Sequence, residues 1–226
     1  MVPGFPVLDI KRPFARMAKR CAGGALLLCL TVLSLAPDAA RADTILVMGD
    51  SLSAAYGIDP QAGWVSLLKH RLDDEHEVVN ASISGETTSG GSARLPDILG
   101  QYHPDIVLLE LGGNDGLRGL SPQQMQVNLG KMIERSQKQG ARVLLLGIEV
   151  PPNYGPAYTE AFRAVYTQLA RDYGVTLLPF LLKGVDLDSM LQSDGIHPTA
   201  EAQPIILENV WSKLAPMLSA SANGSD

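Results

Sequence analysis

Cysteine is nearly absent from this chain of 226 residues: there are two, Cys21 and Cys29, and both fall within the first 42 positions. From residue 43 onward no disulfide can form, so stability there comes from packing. Neither cysteine directly follows the apolar run at 23–36, which argues against lipid attachment at a processed N-terminal cysteine. Basic side chains are also scarce. Of the 18 Lys and Arg, six lie in the first 42 residues together with two of the 24 acids, leaving 12 basic and 22 acidic residues and a formal charge of −10. An acidic chain with no basic run lacks the phosphate-neutralising surface on which nucleic-acid affinity depends, so no nucleic-acid partner is expected. No Gly-x-Gly-x-x-Gly follows the first apolar segment, which leaves a dinucleotide site without support. The run at 23–36 is about 14 residues, short of the roughly 20 that a membrane-spanning helix needs.

The N-terminus has the order of a secretory signal. Lys11, Arg12, Arg16, Lys19 and Arg20 precede the apolar run, and Ala40-Arg41-Ala42 supplies a small-x-small cleavage site. Residues 1–42 are therefore expected to be a signal peptide, with the mature protein periplasmic or secreted; the alternative is an uncleaved anchor. The remaining 184 residues suit one well-filled core. The expectation is a single domain over 43–218, a disordered tail at 219–226, no stable membrane span and a monomer.

Short apolar segments at 44–48, 78–81, 106–111, 143–148 and 175–178 are rich in Val, Ile and Leu, as strands buried on both faces are. Helical patterns lie between and after them. Ser121-Pro122-Gln123-Gln124 reads as an N-cap, with Pro in the first turn and Gln at the third position, followed by Met125, Leu129, Met132 and Ile133 and ended by Gly140. A second set is Phe162, Val165, Leu169 and Tyr173, closed by Gly174, and a last one is Ile206, Val210 and Leu214. Alternating strands and helices predict an α/β fold in which a parallel sheet is covered by helices on both faces.

In such sheets ligands bind at the carboxyl ends of the strands. The first strand runs into Gly49-Asp50-Ser51-Leu52-Ser53, the second into Asn80-Ala81-Ser82-Ile83-Ser84-Gly85, and the third into Gly112-Gly113-Asn114-Asp115. Each segment alone is ordinary turn chemistry. A serine becomes a nucleophile only beside a base, and the chain has four histidines. His70 and His76 bracket a charged stretch that reads as a solvated helix end, and His103 precedes the third strand, at the wrong end of the sheet. His197 remains, in Asp194-Gly195-Ile196-His197-Pro198, where Pro198 disfavours helix at His197. Asp194 can fold back through Gly195 to hold the other ring nitrogen.

Four segments in this order, Gly-Asp-Ser-Leu-Ser, the turn at Gly85, Gly-Gly-Asn-Asp and Asp-Gly-Ile-His-Pro, resemble the sequence blocks of the SGNH (GDSL) hydrolases. Residues 80–91, 110–119, 151–162 and 194–204 are similar to the thioesterase I, lysophospholipase L1 and arylesterase branch, and the resemblance covers essentially all of the chain after the leader. It implies a three-layer α/β/α (flavodoxin-like) domain with five parallel strands. It also implies Ser51 as nucleophile, His197 as base and Asp194 as its orienting carboxylate, with an oxyanion hole formed by the N–H groups of Ser51 and Gly85 and the side-chain amide of Asn114. Asp50 and Asp115 accompany these motifs in a supporting role.

The implied reaction is acyl transfer from esters and thioesters to water, with no cofactor and no metal. Coenzyme A thioesters are not expected outside the cytoplasm, which favours lysophospholipids or other lipid esters as substrates. A carbohydrate O-deacetylase of the same family is the first alternative. The second is a metal-dependent phosphoesterase using Asp50, Asn114, Asp194 and His197 as hard ligands, and the third a binding protein without activity. The segment 151–158 carries Tyr154, Pro156 and Tyr158 as candidates for an acyl groove. Its composition suits equally a mobile rim and a stiff structural loop.

Overall fold

The computed structural model describes residues 42–73 and 75–222; the signal expected at 1–42 lies outside them but for Ala42. Five parallel strands, β1 (Thr44–Gly49), β2 (Glu77–Asn80), β3 (Ile106–Glu110), β4 (Arg142–Leu146) and β5 (Thr176–Leu178), form one sheet in the order β2-β1-β3-β4-β5. The apolar segments read from the sequence are these strands, shifted by one or two residues at their ends. In the central strands β1, β3 and β4 the side chains are buried on both sides, and Ile45, Leu46, Val47, Met48, Ile106, Val107 and Leu108 have no accessible surface, whereas the edge strands β2 and β5 are only partly buried. Continuous apolar runs without alternation follow directly from that two-sided burial.

Among the described residues there are six α-helices: α1 (Trp64–Leu72), α2 (Thr88–Tyr102), α3 (Gly113–Leu117), α4 (Pro122–Lys138), α5 (Pro156–Tyr173) and α6 (Gln203–Ala222). Helices α1 and α6 pack together on one face of the sheet, whereas α2, α4 and α5 pack side by side on the other. The result is the expected three-layer α/β/α architecture. Ser121 caps α4 by accepting from the Gln124 N–H, and Gly174 ends α5 in a left-handed conformation, as their residue types require. Helix α6 continues to Ala222, four residues into the segment expected as a disordered tail, and 223–226 lie outside the described residues. Among those residues no helix is long and apolar enough to cross a membrane.

Helix α2 was not legible as a unit, since Gly90, Gly91 and Pro96 lie inside it. Pro96 has no N–H to offer the Ser92 carbonyl one turn earlier. Arg135 of α4 supplies the missing donor, with its guanidinium 2.6 Å from the Ser92 oxygen. A tertiary contact thus satisfies the group that the local sequence leaves open.

Strand β1 lies between β2 and β3, and the chain leaves it first to one side and then to the other. That reversal opens a crevice at the carboxyl end of β1, the place where α/β sheets bind ligands.

Candidate active site

After Gly49 the chain enters a tight turn. Leu52 N–H donates to the Asp50 carboxylate (3.0 Å), Ala54 N–H to the Asp50 carbonyl (3.0 Å) and Tyr56 N–H to the Ser51 carbonyl (3.2 Å). These bonds hold Ser51, only 9% exposed, at the mouth of the crevice. From the other side comes the loop 190–199, closed by Gln192 N–H to the His197 carbonyl (2.7 Å) and Thr199 N–H to the Met190 carbonyl (2.9 Å). It carries the His197 Nε2 to 2.9 Å from Ser51 Oγ. His197 Nδ1 lies 2.7 Å from Asp194 Oδ2, and Asp194 Oδ1 accepts from the N–H groups of Ile196 (2.9 Å) and His197 (3.0 Å).

Those donors fix the charge state of Asp194. The His197 N–H, then its ring, then the Ile196 N–H stabilise the carboxylate and lower its pKa to about 2. An ionised Asp194 accepts a hydrogen bond from Nδ1–H and so keeps the ring proton on Nδ1, which leaves the Nε2 lone pair directed at the Ser51 hydroxyl. The other three histidines have structural surroundings: His70 lies in the last turn of α1, His103 caps α2 in a left-handed conformation, and His76 Nδ1 accepts from the Asp43 N–H at 3.0 Å.

The side-chain amide of Asn114, in the first turn of α3, donates to Asp50 Oδ2 at 3.0 Å. One of its two amide hydrogens is thereby used and the orientation of the group is set. Gly85 lies in a turn beside the end of β1. Ala81 N–H donates to the Val47 carbonyl (2.9 Å) and Ile83 N–H to the Gly49 carbonyl (3.1 Å), carrying the pairing past β2. Gly85 has φ +80°, a conformation that glycine adopts without strain, and its carbonyl accepts from Arg118 at 3.1 Å. Asp115 accepts from the Thr88 N–H (2.8 Å) and hydroxyl (2.6 Å), pinning α3 to the start of α2.

Beneath this layer is a residue the sequence reading passed over. Glu110, the last residue of β3, is fully buried, and its Oε2 accepts from the Asp50 N–H (3.1 Å) and the Ser53 hydroxyl (2.7 Å). Burial, followed by the nearby Asp50 charge, pushes its carboxyl well above the usual range. Burial likewise raises Asp50 to about 6, opposed by the bonds from Leu52 and Asn114. The available signal was a single acid ending an otherwise apolar strand.

Ser51, Asp194, His197, Asn114 and the Gly85 turn therefore meet at one end of the sheet. Tyr154, Pro156 and Tyr158 reach them only indirectly. The Tyr154 hydroxyl donates to the Leu117 carbonyl (2.7 Å) and that of Tyr158 to the Leu120 carbonyl (2.8 Å), while Pro156 begins α5. The four residues weighed as metal ligands do not converge: Asp50 faces Asn114, and Asp194 is on the far side of the imidazole from Ser51. Among the described residues no group of three or more His, Cys, Asp or Glu could hold a metal. A cavity of about 620 Å³ on the α4–α5 face, lined by residues such as Gln126, Glu160 and Arg163, includes none of the candidate site residues.

A serine, an imidazole and a carboxylate thus stand in hydrogen-bonded line at the carboxyl edge of a parallel sheet. The chain belongs to the GDSL-like lipase/acylhydrolase family, whose model matches residues 47–204, and it is an enzyme acting on ester bonds. It is 54% identical over 194 residues to Esterase TesA of Pseudomonas aeruginosa, covering 84% of this chain and 96% of that protein. It is 47% identical over 181 residues to Thioesterase 1/protease 1/lysophospholipase L1 of Escherichia coli K12, covering 80% and 87% of the two chains. The crystal structure of TesA superposes with a TM-score of 0.75 at 55% identity, over 77% of this chain and 99% of that one.

Proposed function

We propose that the protein is an exported serine hydrolase that cleaves acyl esters and thioesters by two-step acyl transfer through Ser51, His197 and Asp194. The observation that carries this reading is the unbroken line from Ser51 Oγ to Nε2 and from Nδ1 to Asp194. Export rests on the composition of residues 1–42 alone.

In the first step Ser51 Oγ attacks the acyl carbonyl carbon as its proton passes to Nε2. The negative charge that develops on the carbonyl oxygen is met by the N–H groups of Ser51 and Gly85 and by the remaining amide hydrogen of Asn114. Collapse expels the alcohol or thiol, which leaves with the proton from Nε2. Water then attacks the acyl-enzyme and gives its proton to Nε2, which returns it to Ser51 as the acid departs. Asp194 holds the imidazolium throughout without accepting a proton.

A fluorophosphonate is expected to label one serine per chain, Ser51, and to leave Ser53 unmodified, because Ser53 already donates to buried Glu110. Peptide mapping by mass spectrometry reads this directly. An adduct on Ser53, or loss of activity with none on Ser51, overturns the assignment.

The names of the relatives favour lipid and thioester acyl groups over acetylated sugars. For a series of aryl esters kcat/KM is expected to rise about fourfold per methylene, or about 0.8 kcal/mol, and then to level off where the groove ends. If the 151–158 segment borders that groove, Tyr154→Phe with Tyr158→Phe, which removes both hydroxyl tethers, changes the slope and leaves acetate hydrolysis unaltered. Acetate preferred to every longer chain would identify a carbohydrate O-deacetylase instead.

A further inference from the structure

We propose that Gln192 is a positioning residue whose side-chain amide clamps the loop carrying Asp194 and His197 to the turn carrying Ser51. The inference rests on the proposed roles of Ser51 and His197. It concerns what keeps them at reacting distance.

Ser51 and His197 are 146 positions apart and stand on two separate irregular segments. A single hydrogen bond between them is too weak, net of the water contacts it replaces, to hold an exposed loop in register with a buried turn. Gln192 spans the two segments. Its Nε2 donates to the Tyr56 carbonyl at 2.8 Å, five residues after Ser51, and to the Pro198 carbonyl at 3.0 Å, immediately after His197. Both hydrogens of the amide are used in this way. Its backbone acts on the same loop, with the N–H donating to the His197 carbonyl at 2.7 Å and the carbonyl accepting from Gly195 at 2.9 Å.

Two further features match the arrangement. Gly57, φ +75°, lets the turn pass close to the amide: a Cβ there would lie 2.2 Å from Gln192 Oε1. The Tyr56 ring also lies against the His197 ring, centroids 4.5 Å apart, so the residue whose carbonyl is held contacts the imidazole as well. The amide thus constrains both the approach of the loop and the surface on which the base rests.

The imidazole must take a proton from Ser51 and then deliver it to the leaving group, so a loosened clamp affects the second task most where the leaving group is poor. Gln192→Met keeps the length of the side chain and removes both donors. Each preparation is first titrated with a fluorophosphonate, so that rates refer to chains with a reactive Ser51. For an alkyl ester kcat is expected to fall about 10²-fold with KM little changed, and for a p-nitrophenyl ester about tenfold less severely. Gly57→Ala, which displaces the amide from the opposite side, is expected to give the same signature and decides the matter if the Met variant does not fold. A purely structural role lowers the titratable fraction and leaves the ratio of the two substrates unchanged; that result, or wild-type kinetics in the Met variant, overturns the inference. Failure of the wild type to label at Ser51 would overturn the underlying assignment instead.

Discussion

Ser51→Ala is expected to lower kcat by roughly 10⁶-fold, with the residual activity standing about 10³–10⁴ above the uncatalysed reaction because the proposed oxyanion donors and substrate contacts remain. The same change two positions later acts differently. Ser53→Ala removes the 2.7 Å bond to the buried Glu110 carboxyl, which costs about 1–3 kcal/mol of stability, while kcat in the folded protein stays near wild type. The pair separates chemistry from support, because both side chains leave the same turn and only Ser51 meets an imidazole. Steady-state kinetics with thermal melts of both variants checks it. A Ser51→Ala enzyme retaining more than about 1% of kcat would exclude Ser51 as nucleophile, since no member of such a triad is that dispensable.

Asn114→Ala has the second largest expected effect. With Asn114 in its proposed role as an oxyanion donor, its loss is expected to lower kcat by about 10²–10³-fold, about 2.7–4 kcal/mol, with little change in KM. The fold adds a second consequence, because Asn114 is also a donor to Asp50, which is 2% exposed. Without it the Asp50 pKa rises further from about 6. A carboxyl whose pKa is higher folded than unfolded contributes most when protonated, at low pH, and that contribution is lost as pH rises through the folded value. The stability deficit of Asn114→Ala relative to wild type is therefore expected to be larger at pH 8 than at pH 5. Melting curves at the two values test the sign. A structural role alone would give the same loss of stability with near-normal kcat.

Much of this architecture was legible from local chemistry. Apolar runs of five or six residues at 44–48, 106–111 and 143–148 suit strands buried on both faces, and the helical spacing of Met125, Leu129, Met132 and Ile133 leaves one buried face. The candidate site was legible for a similar reason. With four histidines, three of them badly placed relative to the strands, His197 followed by elimination, and Asp194 lay within one turn of it. Helix α2 escaped because its interior glycines and proline are penalised locally and are tolerated through packing and the Arg135 contact.

The chain order of strands, helices and reactive residues was set by periodicity and turn preference, which act over a few positions. The neighbours of those residues were not, because they come from far along the chain. Glu110 reaches Asp50 across 60 positions and Gln192 reaches Tyr56 across 136. Whether an acid at a strand end is a solvated charge or a raised, buried carboxyl depends on what other segments place around it. The same holds for an amide in a loop, which becomes a clamp only when a carbonyl from another segment is brought within 3 Å. Desolvation and hydrogen bonding between distant segments exist only once the sheet has assembled, and for that reason the ionisation of Asp50 and Glu110 and the seating of His197 were decided by the fold.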